Sequence, residues 1–258
     1  VNSPDPIYLN GYISNLRIIK GTALYTSNFT PPTKPLTPVS GTSLLTCQGG
    51  AIVDNSSNKF SITKNGDARA IQSASIKFDG VNDYAILNNN SFFNFGNGDF
   101  CIEANVFLTN YSSNYSGFYG ATIFGKDSNP TREYAFGITG GASNYTSIAF
   151  SFNPGSGNLT ESISGNYNFN LNTWYHTCIS RIGNTMTLFV NGSVLTTTTT
   201  TSTISTTSVQ PRVGSGGYGG YEYFFPGYVS NTRVYKGKGL TAEEVEQNYN
   251  ALKGRFGL

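Results

Sequence analysis

Hydrophobic and polar residues alternate along most of the chain, and a period of two is typical of β-strands with one buried face. The clearest example is Asp99–Leu108. Its apolar face carries Phe100, Ile102, Ala104, Val106 and Leu108. Similar runs occur in SIKFDG and DYAIL around the turn-like GVN (Ser75–Leu87), and in EYAFGIT and SIAFSF. RVGSGG and GYVSNTRVY complete the set of predicted strands, so most of the chain is predicted to be β-structure.

Glycine and asparagine mark the turns between these strands. WYHTCISRIGNTMTLFVNGSVL predicts a hairpin that turns at Gly183-Asn184, and Asn191-Gly192 predicts the next turn,. The low-complexity tract Thr196–Ser208 then predicts an edge strand or an exposed connection,. Strands at short, regular spacing with such turns indicate a β-sandwich or jelly roll.

One segment, Thr241–Gly254, has the pattern of a helix. Thr241 is a suitable N-cap, Glu244 follows three residues later as in a capping box, and Gly254 is expected just past the end. The predicted fold class is therefore all-β, an antiparallel sandwich of the jelly-roll type with a short C-terminal helix.

An internal repeat predicts the domain organisation. GYISNLRIIKGTALYTSNF starts at Gly11 and GYVSNTRVYKGKGLTAEEV starts at Gly227, an offset of 227 − 11 = 216 residues. Because the second copy is followed by few residues, it is expected to close a domain, and the first copy is expected to close a preceding one. The prolines of PPTKPLTP stiffen the segment after the first copy,. We therefore predict the tail of a preceding repeat at 1–36, a proline-rich linker at 37–42 and a complete domain at 43–258.

Composition narrows the classes of function. Charged residues make up 12% of the chain and the net charge is +2, with no basic stripe, which argues against nucleic acid as a partner,. No apolar stretch approaches the roughly 20 residues that cross a bilayer, so membrane insertion is not expected. Three cysteines are too few for a disulfide framework and are expected to be small buried hydrophobes in a reducing compartment, although one pair could be bridged if it lies close in space,.

Five ordered motifs resemble the laminin-G-like branch of the concanavalin A-like lectin/glucanase superfamily. They are SLLTCQGGAIVDNSSNKFSIT with its turn at Asp54–Ser57, SIKFDGVNDYAIL, GDFCIEANVF, NTWYHTCISRIGNTMTLFVNG, and FPGYVSNTRVYKGKGLTAEEVEQNYN. The resemblance implies a concanavalin A-like jelly roll in which SIKFDGVNDYAIL forms a strand pair. The ligand is not implied, because one fold hosts many functions.

A second resemblance concerns the exact amino-acid sequence of the first repeat copy and of the C-terminal segment. GYISNLRIIKGTALYTSNFTPP and the ending ALKGRFGL are similar to repeated domains of marine phage structural proteins. This resemblance implies a virion surface appendage or fibre that is assembled in the host cytoplasm. The partners it implies are a glycan or host-surface receptor, other virion proteins and further copies of the chain in a homo-oligomer.

Catalysis finds little support in the sequence. Glycosidases use paired carboxylates, roughly 5–5.5 Å apart in retaining enzymes, and on a strand such a pair appears at i, i+2 or i+4. No E-x-D-x-x-E pattern exists, Glu103 lacks a partner on its strand, and Glu161 stands alone. His176, the single histidine, belongs to a predicted strand and is expected to be structural. We predict that the protein is not an enzyme.

Two segments combine aromatic side chains with short polar ones and glycine, which suits binding to sugars. They are NYSSNYSGFYG (Asn110–Gly120) and GGYGGYEYFFPG (Gly216–Gly227). The candidate ligand-binding residues are Tyr111, Tyr115, Phe118, Tyr119, Tyr218, Tyr221 and Tyr223. The alternative is that these aromatic segments pack against each other or a neighbouring subunit.

Calcium is a possible cofactor, because many relatives of the fold hold it in loops through Asp and Asn. Asp79, Asp83 and Asp127 lie in or near predicted turns and are the candidate ligands,. The alternative for Asp79 and Asp83 is that each accepts hydrogen bonds from its own turn. Three functions stay open at this point: a glycan-recognising adhesion module, a structural or decoration module, and a glycan-degrading enzyme.

Overall fold

The computed structural model describes residue 13, residues 15–29, residue 32, and residues 35–48, 52–63, 75–88, 91–111, 117–128, 131–141, 143–218 and 221–258. The chain forms two compact units. Residues 1–73 with 251–257 form the first unit, and residues 74–250 with Leu258 form the second. The domain boundaries predicted from the repeat stay a prediction. Across the described residues, no helix combines the length and apolar character that crossing a membrane requires.

In the first unit, the described residues form two antiparallel strands, β1 (Leu16–Ile19) and β2 (Thr42–Thr46). Asp54 organises the chain that follows β2. Its carboxylate accepts hydrogen bonds from the backbone N–H groups of Leu45 (3.1 Å), Ser56 (2.8 Å) and Phe60 (3.0 Å). The turn predicted at Asp54–Ser57 is therefore confirmed. Burial opposes ionisation of Asp54, but these hydrogen bonds outweigh it and lower its pKa from 3.8 to about 2,.

Replacing Asp54 with Asn is expected to loosen this turn, because an amide cannot accept the same three N–H groups as a carboxylate. The amides of Ser56 and Phe60 should exchange with deuterium faster in Asp54→Asn at pH 7. The folded pKa lies below the unfolded value, so the contribution of Asp54 is complete above pH 4 and is lost as the pH falls toward 2,. Asp83→Asn serves as the control, and equal exchange in both variants would show that Asp54 does not hold the turn.

The second unit is built from fourteen described strands. They are β3 (Ser75–Asp79), β4 (Ala85–Ile86), β5 (Phe100–Leu108), β6 (Gly117–Ser128), β7 (Thr131–Gly141), β8 (Asn144–Phe152), β9 (Glu161–Phe169), β10 (Trp174–Ile182), β11 (Thr185–Val190), β12 (Ser193–Thr199), β13 (Arg212–Val213), β14 (Gly217–Tyr218), β15 (Tyr221–Glu222) and β16 (Pro226–Lys236). The described residues also form one 3₁₀ turn, Ser91–Phe93, and one helix, α1 (Ala242–Phe256), whose residues 251–256 belong to the first unit.

These strands form two six-stranded antiparallel sheets and a small hairpin. The first sheet has the order β12-β11-β10-β5-β16-β3, and the second has the order β4-β13-β6-β7-β8-β9. The hairpin pairs β14 with β15. Side chains from both sheets fill one core, including Phe100, Ile102, Phe136 and Phe150. The predicted jelly-roll sandwich with a C-terminal helix is therefore confirmed.

The alternation predicted for β5 holds in the structure, and all five of its apolar residues belong to the core. Its other face is also buried, although it carries Cys101, Glu103 and Asn105. Cys101 packs with Leu240 and with Val245 of α1 in a second, smaller apolar cluster. The helix therefore covers part of the first sheet on the side away from the main core.

The helix begins as predicted but ends later. The Thr241 hydroxyl accepts from the Glu244 N–H (3.3 Å), and the Glu244 carboxylate accepts from the Thr241 N–H (3.0 Å), which forms the predicted capping box,. The expected stop at Gly254 is wrong. The helix continues through Phe256, and Gly257 takes the left-handed conformation with φ +71°,.

SIKFDGVNDYAIL does not form one strand pair. β3 pairs with β16 in the first sheet, whereas β4 pairs with β13 in the second. Gly80 sits between them with φ +81°, and a Cβ atom there would lie 2.7 Å from Pro226. The turn therefore carries the chain from one sheet to the other instead of closing a hairpin.

The cysteines are free thiols in the structure. The Sγ atoms of Cys101 and Cys178 lie 3.3 Å apart between neighbouring strands, and both side chains are fully buried. Burial raises the pKa of the Cys178 thiol well above its usual value. Both residues contribute to packing as small hydrophobes, as expected.

Candidate functional site

The outer face of the second sheet, opposite the core, is made largely of small residues. One row across the strands consists of Arg212, Gly125, Ala135, Ser151 and Ser162. A second row consists of Thr122, Gly137, Ala149 and Ser164. Arg212, at the β13 end, is the one long side chain in these two rows.

At that end, five residues form a group that we call the hairpin cluster: Tyr84, Arg212, Glu222, Tyr223 and Phe224. The Arg212 guanidinium carbon lies 4.6 Å from the centroid of the Tyr84 ring, a cation–π distance,. Arg212 Nη1 is 3.7 Å from Glu222 Oε1, and the Tyr84 and Phe224 rings stack at 6.4 Å. Tyr84 is 43% exposed, so the cluster presents an aromatic ring to solvent beside a cation and a carboxylate.

The backbone around Gly216 fixes the position of the hairpin cluster. Tyr223 N–H donates to Gly216 O (2.6 Å), and Thr122 N–H donates to Tyr223 O (3.3 Å), so the segment is held along β6. A Cβ atom on Gly216 would lie 3.1 Å from Thr122 Oγ1. The hairpin base therefore lies close against the outer face of the sheet.

Three buried polar atoms in these segments lack a hydrogen-bond partner among the described residues. They are Thr122 Oγ1, Ser215 Oγ and Arg212 Nε. Buried polar atoms in folded proteins are nearly always paired with protein groups or with ordered water. All three atoms lie in the segments that form or support the hairpin cluster.

Asp127 of β6 and Arg132 of β7 lie opposite each other and form an ion pair. Arg132 Nε donates to Asp127 Oδ1 (2.6 Å) and Arg132 Nη2 donates to Asp127 Oδ2 (2.7 Å). Burial raises the pKa of the Asp127 carboxyl, although Arg132 and Arg212 both oppose the shift,. Both carboxylate oxygens are occupied by one guanidinium, which does not suit a calcium ligand.

The other calcium candidates accept hydrogen bonds from their own turn. Asp79 Oδ1 accepts from Val81 N–H (2.8 Å), and Asp83 Oδ2 accepts from Asp79 N–H (3.0 Å). The Val81 bond contributes most to lowering the pKa of Asp79. Within the part of the chain that the structure describes, no three His, Cys, Asp or Glu side chains come together as a metal site.

The predicted aromatic residues fall in several places. Tyr223 is part of the hairpin cluster, whereas Tyr111 is partly buried and its ring lies 5.3 Å from that of Tyr145. Tyr218 and Tyr221 are register partners in the β14–β15 backbone pair. Phe118 and Tyr119 lie on β6, and Tyr115 lies outside the described residues. The ligand-binding prediction for this set stays a prediction.

Four members of the hairpin cluster, namely Tyr84, Arg212, Glu222 and Phe224, were not among the ligand-binding residues predicted from the sequence. Tyr84 follows Asp83 in a motif assigned to the fold, and Arg212 precedes a short strand. Their common location depends on the pairing of β13 with β4 and β6. Glu222 lies between two tyrosines in a segment already predicted to bind a ligand. Its acidic side chain was the feature that could have identified it as a site residue.

The carboxylate of β5, Glu103, is buried and accepts hydrogen bonds from side chains of neighbouring elements. Glu103 is 1% exposed and accepts from His176 Nε2 (3.1 Å), Arg233 Nη1 (2.8 Å) and Tyr235 OH (3.2 Å). Asn248 of α1 adds a fourth donor at 3.0 Å. With four donors around it and almost no exposure, Glu103 is suited to holding the helix on the sheet. It is not placed to contact a substrate.

Glu161, the other carboxylate considered for catalysis, is also engaged. Its two oxygens accept from the hydroxyls of Thr200 (3.0 Å) and Ser202 (2.5 Å). These residues belong to the Thr- and Ser-rich tract, so Glu161 connects β9 to the chain that follows β12. The described carboxylates considered for hydrolysis therefore have structural partners.

The first unit contains a shallow depression of about 610 Å³ beside β1 and β2. Its lining includes Lys20, Pro38, Val39 and Asn58, with no carboxylate. This lining has neither the aromatic ring nor the paired charges that characterise the hairpin cluster.

Comparison with solved structures shows the same fold at low sequence identity. The chain is similar to the binding domain of botulinum neurotoxin DC in complex with SialylT, with 14% identity, a TM-score of 0.51 and coverage of 78% of this chain and 49% of that one. It is also similar to botulinum neurotoxin type C, whose cell entry is described as dependent on two ganglioside molecules (15% identity, TM-score 0.51, coverage 81% and 50%). The chain thus spans about half the length of these toxin structures.

A smaller protein matches over nearly its whole length. The CBM40 module of the Ruminococcus gnavus IT-sialidase, bound to α2,3-sialyllactose, has 10% identity, a TM-score of 0.50 and coverage of 68% of this chain and 97% of that one. A comparison with curated protein sequences gives no match.

A family model places the fold in a named group. The model for the concanavalin A-like lectin/glucanases superfamily, of the laminin-G type, matches residues 79–246. This span is well over half of the chain and includes β4 to β16. The chain therefore belongs to the concanavalin A-like lectin/glucanases superfamily.

Proposed function

We propose that this protein is a non-catalytic glycan-binding module and that the hairpin cluster is part of its binding site. The observation that carries the proposal is the exposed Tyr84 ring, which has at cation–π distance the Arg212 guanidinium, itself 3.7 Å from the Glu222 carboxylate. Aromatic rings stack on the apolar faces of sugars, while charged and hydroxyl groups bond to sugar oxygens.

The comparisons support the same class of ligand. The toxin binding domain and the sialidase CBM40 module described above are sugar-bound examples of this fold. Their sequence identity to this chain is 14% and 10%, so the likeness concerns the fold, and the residues of the site are argued from this protein alone,.

The biological setting is a further part of the proposal. The similarity of the repeat and of ALKGRFGL to phage structural proteins supports a place in a virion fibre or appendage, assembled in the host cytoplasm. In that setting the glycan would belong to the host surface. Other virion proteins and further copies of this chain would be its protein partners.

A structural or decoration module is the second candidate, and a specific surface favours it. Ile76, Val81 and Ile86 lie in or beside β3 and β4 and are 49%, 63% and 49% exposed. Exposed apolar side chains of this size suit a protein partner as well as a sugar. A glycoside hydrolase has less support, because Glu103 and Glu161 are engaged in structural hydrogen bonds.

Glycan binding can be tested with the whole chain on an array of neutral and sialylated glycans. Tyr84→Ala should weaken binding by about tenfold, because the stacking surface is lost. Arg212→Lys should weaken it less, since the charge remains while the planar contact with Tyr84 is lost. Phe60→Ala removes an aromatic side chain that is 58% exposed in the first unit and should leave binding unchanged.

The outcomes separate the candidates. No binding to any glycan by the unmodified, folded chain would reject the glycan proposal and favour a structural module. Binding that Tyr84→Ala leaves intact would keep the activity but remove the hairpin cluster as its site. Release of reducing sugar from a bound glycan would instead favour a hydrolase.

A further inference from the structure

The two copies of the sequence repeat share an unusual backbone feature. Asn15 in the first copy and Asn231 in the second occupy matching positions, 216 residues apart, and both have positive φ, +54° and +47°. In the second copy this residue lies where the pairing of β16 with β5 shifts between Ser230 and Arg233. An Asn in this conformation is uncommon and accompanies a bulge. At this position the two copies therefore share a backbone conformation as well as a sequence.

In the first copy, the strand edge after Asn15 is occupied by β2. Leu16, Arg17 and Ile18 of β1 lie opposite Thr46, Leu45 and Leu44 of β2. The ladder is extended at its ends, where Asn15 N–H donates to Cys47 O (2.8 Å) and Lys20 N–H donates to Gly41 O (2.8 Å). The Asn15 side chain also accepts from Leu36 N–H (3.2 Å). The whole segment from Leu36 to Cys47 is thus held along this edge.

The β2 segment is built to close a sheet. Asp54 Oδ1 accepts from Leu45 N–H (3.1 Å), and Asn55 N–H donates to Leu45 O (2.6 Å). Both backbone groups of Leu45 therefore have partners in the segment's own turn. A strand whose hydrogen-bonding groups are satisfied in this way covers an edge without offering a new one.

In the second copy, the matching edge is open within the second unit. β3 pairs with β16 along Pro226–Ser230, and beyond Ser230 the only described strand of that unit paired with β16 is β5. Gly237 N–H donates to Asp99 O on the β5 side (2.8 Å). Because successive N–H groups of a strand point to opposite sides, Lys236 N–H faces the open side. This is the direction that Lys20 N–H takes in the first copy.

The Asn231 side chain is the counterpart of the Asn15 side chain, whose Oδ1 accepts from Leu36 N–H (3.2 Å). The Nδ2 atom of Asn231 is buried and has no hydrogen-bond partner among the described residues. Arg233 differs from its counterpart Arg17, because Arg233 binds Glu103 (2.8 Å) while Arg17 donates to Thr37 O (2.8 Å). The match therefore rests on the strand backbone and the Asn side chain.

We propose that the open edge of β16, residues 231–236, binds the β2 segment, residues 36–48, of a second copy of this chain by antiparallel strand addition, in exchange for the contact of that segment with its own β1. The closing strand of one copy would then hold the edge-covering segment of another, as β1 holds β2 here. Main-chain hydrogen bonds would supply the affinity, and the Asn231 amide would contact the incoming chain near its Leu36. Copies would join head to tail through this contact.

A labelled synthetic peptide of residues 36–62 tests the proposal against the full chain by fluorescence anisotropy. Lys236→Pro removes the N–H that faces the open side, at an edge position where proline is tolerated. Lys236→Ala is the matched control, since it loses the same side chain, including its contact with Ser91 O, but keeps the N–H. The peptide should bind the unmodified chain and Lys236→Ala equally, and bind Lys236→Pro at least about tenfold more weakly.

Two further measurements make the result decisive. Lys20→Pro alters the β1 edge instead, so it should leave peptide binding intact; loss of binding there, with Lys236→Pro unaffected, would mean that the peptide exchanges with the attached β2 and would overturn the proposal. Hydrogen exchange on the unmodified chain needs no variant to fold. Added peptide should slow exchange across residues 231–236, and no change in that segment would also overturn it.

Discussion

Replacing Lys126 with Met should lower the free energy of unfolding by about 3–5 kcal/mol, the cost of leaving one partner of a buried ion pair alone. Lys126 Nζ lies 2.7 Å from Glu133 Oε2, and both side chains are fully buried. Lys126 also donates to Asn94 Oδ1 (2.7 Å), while Glu133 accepts from the Thr207 N–H (2.9 Å). Met fills a similar volume, so the loss measures charge and hydrogen bonding more than packing.

The loss should depend on pH. Burial raises the pKa of Glu133 even though Lys126 opposes the shift, and removing Lys126 should raise that pKa further,. A carboxyl whose folded pKa exceeds its unfolded pKa destabilises the folded state fully above the folded pKa, and this cost falls as the pH drops through that value. Urea unfolding of Lys126→Met should therefore show a smaller deficit at pH 5 than at pH 8.

Two controls separate this effect from a general loss of lysine. Lys77 is exposed on β3, and Lys77→Met should change the unfolding free energy by about 0.5 kcal/mol or less,. The double variant Lys126→Met with Glu133→Gln should recover much of the loss, because a neutral amide can still accept from Thr207. Equal deficits in Lys126→Met and Lys77→Met would show that the buried pair does not stabilise the fold.

The strands and the fold class could be predicted because their causes are local. Alternating side chains on β5, the turns at Gly183 and at Asn191-Gly192, and the Thr241 capping box each act within a few residues. Gly183, Asn191 and Gly192 have φ values of +57°, +50° and +77°, as tight hairpin turns require,. Such features can be predicted from a few neighbouring residues, without knowledge of the rest of the fold.

The fate of the Thr- and Ser-rich tract could not be predicted in the same way. The tract begins within the edge strand β12, in agreement with the predicted edge strand. Beyond Thr199, however, the chain is partly buried and does not form the exposed connection that was the alternative. Arg181 is fully buried and donates to Ser202 O (3.0 Å) and Thr200 O (3.3 Å), and Ile204 enters the core. Buried Arg181, together with Glu161 and Glu133, thus fixes a tract whose own composition has no preferred partner.

The hairpin cluster shows why a site is harder to predict than a fold. Tyr84, Arg212 and Glu222 are separated by up to 138 residues (222 − 84) and meet because β13 lies between β4 and β6. Sequence analysis placed Tyr223 near a ligand through its aromatic, glycine-rich surroundings. It had no means of finding Arg212, whose contact with Tyr84 depends on the order of strands in the sheet.

The Glu103 network should show the second large effect. Glu103→Gln is expected to lower the free energy of unfolding by about 3 kcal/mol. The amide NH₂ group cannot accept hydrogen bonds from the donors that now bind the second carboxylate oxygen. His176, Arg233 and Tyr235 would compete for one remaining oxygen. Because Asn248 of α1 is a fourth donor, the amides of the helix should also lose protection from hydrogen exchange,.

The pH dependence of this effect is opposite to that of the Lys126 variant. Burial opposes ionisation of Glu103, but the hydrogen bonds from His176 and Arg233 outweigh it and lower its pKa. A carboxyl with a lowered folded pKa stabilises the protein above its unfolded pKa, near 4.3, and this contribution is lost as the pH falls through the folded value. The difference between the unmodified chain and Glu103→Gln should therefore shrink below about pH 4.

Glu246→Gln is the matched control, because Glu246 is an exposed residue of the same helix. Its unfolding free energy should stay within about 0.5 kcal/mol of the unmodified value at both pH 7 and pH 4. If Glu103→Gln instead behaves like Glu246→Gln, the network does not hold α1 on the sheet. Glu103 would then be a buried carboxylate without a structural task, and the case for a non-catalytic module would lose one of its supports.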